Sequence, residues 1–159
     1  MATTIAPATL TVKLTETISL NGTAQGASNT HTFASINEIS KRILTITTNE
    51  STIATFSGAV ASAGHYNDSA VRYMRFTNKD DTYFITLTFR NQDNDEVAFK
   101  VDAGQSFIWC GDNNTGMSSV FNATEDADAA SDTNFGSLTS IQADAESSTV
   151  DIEMFVASV

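Results

Sequence analysis

Three groups of residues have the types and spacing that chemistry requires. The run Gly111-Asp112-Asn113-Asn114-Thr115-Gly116-Met117-Ser118 carries the glycine spacing and closing Ser of a phosphate-cradling loop. The position that needs a Lys for the β/γ-phosphates holds Met117, and Asp112 would face the phosphate with like charge. No helical period follows to supply a positive dipole end, so a plain polar loop is the better reading. Asn91, Asp93 and Asp95 alternate, and Asp126, Asp128 and Asp132 cluster further on; such oxygen ligands suit Ca²⁺. Neither stretch has the sixth-position Gly or twelfth-position Glu of a helix–loop–helix calcium site, and solvated acidic turns are expected at both. His31 and His65 are the two possible general bases, and no Gly-x-Ser-x-Gly elbow accompanies them. One Cys and two His give no zinc pattern. The expectation is a protein that is not an enzyme, with no catalytic, cofactor-binding or metal-binding residue to assign.

Two further groups point to surfaces. Trp109, Tyr66, Tyr73 and Tyr83 are the aromatics that a carbohydrate-binding module would line up on one face. All but Tyr66 fall in apolar runs where core packing accounts for them, which leaves glycan binding as an alternative of another class. Arg72, Arg75 and Lys79 lie in one strand and its turn, and are expected to balance cross-strand carboxylates. The charge balance argues the same way. Eight Lys and Arg stand against nineteen Asp and Glu, a net charge of −11. Phosphate neutralisation drives nucleic-acid binding, so no nucleic acid is expected, and an anionic membrane would repel the chain. No apolar run approaches the ~18 residues of a spanning helix. The start, Met1-Ala2-Thr3-Thr4-Ile5-Ala6-Pro7, reads as no secretory signal, and the single Cys110 suits synthesis in a reducing cytoplasm.

What could position these residues is almost entirely strand. The 159 residues suit one domain over 1–159. From Thr9 to Leu20 the even positions Leu10, Val12, Leu14, Ile18 and Leu20 are apolar, the period of a half-buried strand with one face in a core. Asn21-Gly22 then predicts a tight turn with positive φ. Polar residues follow, with a short strand around His31-Thr32-Phe33. Ile39–Thr48 and Thr52–Ser57 read as strands, Ala59–Ser69 as a connection. Val71–Thr77, Tyr83–Arg90, Glu96–Val101 and Ser106–Cys110 form an antiparallel meander divided by Asn- and Asp-rich turns. Residues 111–148 read as a long polar loop region pinned by Phe121, Phe135, Leu138 and Ile141, and Thr149–Val159 as the final strand. Met1 to Ala8 reads as a flexible N-terminal strip. The expected fold is all-β: an antiparallel β-sandwich, jelly-roll-like, with a long irregular loop before the last strand.

Within that meander, Arg75-Phe76-Thr77-Asn78-Lys79-Asp80-Asp81-Thr82-Tyr83-Phe84-Ile85-Thr86-Leu87 and Phe99-Lys100-Val101-Asp102-Ala103-Gly104-Gln105-Ser106-Phe107 are distinctive. Together with the closing Val150 to Val159 they resemble small virion structural proteins of tailed bacteriophages. The resemblance covers about a third of the chain, rests on turn chemistry, and finds nothing to align in residues 111–148. It implies a jelly-roll component of the particle, foremost a head decoration or cement protein; a tail, collar or fibre-associated protein is the alternative. It also implies the major capsid protein or other virion proteins as partners, a homo-oligomer (trimer or dimer), and a place on the outer surface of the virion after synthesis in the host cytoplasm. No functional residue carries over, since such proteins have no catalytic site.

Overall fold

The computed structural model describes residues 5–58, 62–111, 116–117 and 138–159. Among these the regular structure is all strand: β1 (Ala8–Thr15), β2 (Ser19–Leu20), β3 (Thr23–Ala24), β4 (Ser28–Ile36), β5 (Glu38–Ile46), β6 (Ser51–Ser57), β7 (His65–Asn67), β8 (Val71–Asn78), β9 (Ile85–Asn91), β10 (Glu96–Val101), β11 (Ser106–Cys110), β12 (Leu138–Ala145) and β13 (Val150–Ser158). The expected all-β sandwich is what the chain forms.

Its topology follows from one long antiparallel ribbon. Working outward from the β9–β10 turn, β9 pairs β10, β8 pairs β11, β6 pairs β12 and β5 pairs β13, all antiparallel. Winding that ribbon on itself lays β13 against β8 and β12 against β9. The result is two sheets, ordered β11-β8-β13-β5 and β10-β9-β12-β6-β7, which is jelly-roll connectivity with β7 added in parallel beside β6. Alternation then decides the core. Met74, Phe76, Ile152, Met154 and Val156 on the first sheet meet Ile85, Leu87, Phe89, Ile141 and Ala143 on the second, all buried in one cluster.

The two sides of the sandwich, where facing edge strands meet, are closed differently. Between β10 and β11 the gap is plugged by aromatic rings: Phe89 lies 4.9 Å from Trp109, 5.5 Å from Phe107 and 5.7 Å from Phe99, centre to centre. On the other side, where β5 faces β6 and its edge neighbour β7, no such plug forms among the described residues. A Ser40 Oγ to Tyr66 hydroxyl contact of 3.1 Å bridges one end, and an open cleft occupies the rest.

The four strands from β8 to β11 do not form the expected meander: β8 pairs β11 in one sheet and β9 pairs β10 in the other, because the chain crosses between sheets after β8 and again after β10. Two buried asparagines hold turns among these strands. Asn78 donates through Nδ2 to the carbonyls of Tyr83 and Val101, at 2.9 and 3.2 Å, and accepts from the Asp80 amide. Asn91, 1% exposed, accepts from the Asp93 and Asp95 amides and donates to the Asp95 carboxylate. The alternating Asn91, Asp93 and Asp95 thus build an Asx turn, with the Asn91 carboxamide oxygen committed to two backbone amides.

Four expectations besides the meander need correction. The loop thought to occupy residues 111–148 contains β12, a central strand between β9 and β6, and Leu138 and Ile141 are its core residues rather than scattered anchors. Residues 118–137, including Phe121, Phe135, Asp126, Asp128 and Asp132, lie outside the described residues. The strip Met1 to Ala8 ends in strand, since Ala8 opens β1, and residues 1–4 lie outside the described residues. The stretch Ala59–Ser69 contains β7, which buries Tyr66. Lastly, the alternating run from Thr9 enters neither sheet of the sandwich.

Candidate functional site

That run and the polar stretch after it form an arm. β1 pairs antiparallel with β4, placing Leu10 opposite Phe33, Val12 opposite His31 and Leu14 opposite Asn29. Two further backbone bonds, Glu16 N–H to Ala27 O at 2.8 Å and Gln25 N–H to Ile18 O at 2.9 Å, carry the ribbon into the β2–β3 hairpin. Its turn is Asn21-Gly22 with φ of 51° and 77°, the positive pair that the dipeptide predicts. A lone two-stranded ribbon is marginal in water, so the arm must be fixed at its base. There Phe33 and Ile36 pack with Tyr73 and Ala157 on the outer face of the first sheet, joined by Leu10, Val12, Phe155 and Val159. Phe33 and Tyr73 lie 5.9 Å apart, and Tyr73 and Phe155 6.0 Å apart.

Past this base the apolar residues lose their cover. Leu14, Ile18 and Leu20 are 57, 55 and 60% exposed. The sheet face beside the base continues the same character, with Ile39 and Ile43 on β5 and Ile108 on β11 exposed. Between them runs a charged bridge in which Glu153 accepts from Arg75 and pairs with Lys41 at 3.0 Å. Exposed apolar side chains and a carboxylate shared by two cations thus lie on one face.

The Arg75 guanidinium, and after it the Lys41 ammonium, hold the Glu153 carboxyl below its ordinary value. A native value below the unfolded one gives stability that is present above about pH 4.3 and lost as pH falls through the native value. We therefore expect the melting temperature to fall less between about pH 5 and pH 3 in Glu153→Gln than in the natural chain. Equal falls would show that the bridge is not linked to folding.

Other sequence candidates are not brought together. His31 sits edge-on to Phe33 on the arm, whereas His65 lies on β7 at the edge of the second sheet. No side-chain hydrogen bond joins either imidazole to a Ser, Thr or carboxylate among the described residues. Burial pushes the Cys110 thiol up, away from the thiolate that nucleophilic chemistry uses. Met117 is fully buried in the core and its amide donates to the Asp68 carbonyl, a packing role rather than a phosphate contact. Residues 112–115 and Ser118 lie outside the described residues. Trp109 and Tyr83 pack against the core, Tyr66 belongs to it and Tyr73 lies beneath the arm, so these rings form no exposed platform. Tyr83 precedes β9 and Tyr66 lies within β7. Arg75 pairs across strands as expected, but Arg72 donates instead to the Ser69 carbonyl at 2.7 Å. No ion pair from Lys79 occurs among the described residues.

Sequence reasoning missed Arg42, which lines the β5–β6 cleft. Its signal was phase: Ser40, Arg42, Leu44 and Ile46 share a face, but Ile39 and Ile43 make the opposite face look like the core side. No family model, curated protein or solved structure matches the chain.

Proposed function

We propose that the protein is a structural component of a bacteriophage particle, a capsid decoration or cement protein that docks on the head through its arm. The observation that carries the reading is the anchored ribbon with Leu14, Ile18 and Leu20 uncovered beside a sheet face bearing Ile39, Ile43 and Ile108. A jelly-roll body that presents such an arm can reach across a joint between major capsid protein subunits, adding buried area that resists internal pressure. Copies at symmetry axes then associate as a homo-oligomer, trimer or dimer, and a net charge of −11 favours the outer surface over packaged DNA. The resemblance of the stretch from Arg75 to Phe107 to phage virion proteins supports the same assignment. A tail, collar or fibre-associated role would use the same arm at lower copy number.

The test is sedimentation of purified protein with expanded heads that lack it. Binding at hundreds of copies per head, which is what the head role requires, is the expected result. No co-sedimentation with heads would overturn it, and binding to tails alone would move the protein to the tail.

A further inference from the structure

We infer that the cleft between β5 and β6 binds a small oxyanion, a carboxylate or phosphate carried on a hydroxylated molecule, with Arg42 as its anchor. The argument begins with where β5 puts that side chain. Arg42 pairs with Met154 of β13 and alternates with Leu44 and Ile46, so it projects inward, toward the opening between the sheets. Its Nη2 donates to the Ile53 carbonyl at 3.0 Å, while its Nε is buried without any hydrogen-bond partner. Of its five N–H donors, that leaves a planar fork without an acceptor.

Four of the other basic side chains are paired: Lys41 and Arg75 share Glu153, Arg90 pairs with Glu96, and Lys100 with Asp102. Arg42 pairs with no carboxylate among the described residues, although acidic groups outnumber basic ones nineteen to eight. Lys13, Arg72 and Lys79 pair with no carboxylate among the described residues either, and Arg42 differs from them in having a buried Nε without a partner. A guanidinium drawn out of water without a counter-charge is costly unless an anion joins it.

The walls fit an anion that carries hydroxyls. The cleft has a volume of about 440 Å³, within the range of small-molecule sites. Ser51, Thr52, Thr55 and His65 line it beside Arg42, and none of those three hydroxyls makes a hydrogen bond within the described chain. Gly64, at φ +87°, lies against the guanidinium, and a Cβ there would stand 3.3 Å from Nη2. At that φ a side chain is strained, and a Cβ would press on Nη2, so glycine suits this place beside the guanidinium.

Calorimetric titration of the full chain with glucuronate, glucose 6-phosphate and glucose, at millimolar concentration and low salt, tests this. At least one of the two anions is expected to bind and glucose not; which anion binds identifies the group recognised. Arg42→Met is expected to weaken binding about tenfold to a hundredfold, and Arg42→Lys to restore it only in part, because a point charge lacks the fork. In the natural chain, amide shifts on titration should centre on Thr55, Gly64 and His65. Glucose binding as well as the anions, no binding by either anion, affinity unchanged in Arg42→Met, or shifts centred elsewhere would each overturn the proposal.

Discussion

Phe89→Ala is expected to lower the free energy of unfolding by about 3–5 kcal/mol, read as an earlier urea midpoint at unchanged slope. Phe89 is fully buried on β9, and its ring is the hub of the plug between β10 and β11, with Trp109, Phe107 and Phe99 at 4.9, 5.5 and 5.7 Å. Ring pairs of this kind add to the area term, and truncation forfeits three of them together. The cavity cannot close, because the backbones on both sides are fixed in ladders: β9 is held between β10 and β12, and β11 is paired to β8. Phe99→Ala provides the contrast. That ring is 39% exposed, so water already reaches it, and a loss of about 1–2 kcal/mol is expected. Trp109, the one Trp of the chain, reports both transitions by fluorescence. A loss below about 1 kcal/mol for Phe89→Ala would show that the plug is not part of the core.

The contrast between β9 and β12 explains which parts of this fold are legible in the sequence. In β9, Ile85, Leu87 and Phe89 keep strict period two, and Asn-rich turns bound the strand on both sides, so pattern and structure coincide. In β12 the buried residues are Leu138, Ile141, Ala143 and Ala145. The step of three from Leu138 to Ile141 breaks the period, and the register shifts between Leu138 and Ser140 against β9 and between Ile141 and Gln142 against β6. A bulge therefore erased the signal, and two of the four core residues are Ala, which read as loop composition. In β1 the error was of another kind. Alternation reports that a strand has an apolar face; it does not report what covers that face. The strand was legible, but its cover was not, because the partner β4 (Ser-Asn-Thr-His-Thr-Phe-Ala-Ser-Ile) has almost no apolar pattern of its own.

The same limit applies to both surfaces for which a role is proposed. Arg42 and Lys41 are neighbours in a Ser-Lys-Arg run, and composition treats them alike. The sheet separates them: Lys41 faces outward to Glu153, and Arg42 faces the cleft without a carboxylate among the described residues. Only the pairing of β5 with β13 fixes that assignment, through a partner more than a hundred residues away. The Asn21-Gly22 turn, by contrast, needed no distant contact, because positive φ is a local property of the dipeptide.

The proposed docking role makes the arm the place where a small change has a large effect. Leu14→Asp combined with Leu20→Asp is expected to weaken binding to heads about a hundredfold or more while leaving the fold intact. The stability half rests on exposure: at 57 and 60% exposed, neither side chain contributes much to the core, and a surface change of this kind stays within about half a kcal/mol. The binding half rests on burial at the joint. Each Leu transferred from water into an interface supplies about 1.5–3 kcal/mol, and Asp in its place must be desolvated without a partner. Two such losses amount to two or more decades in affinity. Melting temperature and head co-sedimentation, measured on the same preparation, separate the halves. An unchanged melt with lost sedimentation is the expected pair. Retained sedimentation with an unchanged melt would remove the arm from the interface and leave the Ile39, Ile43 and Ile108 face to carry the contact. The same substitutions in a protein whose arm merely braced the sheet would lower the melt instead, because Phe33, Ile36 and Tyr73 would loosen with it.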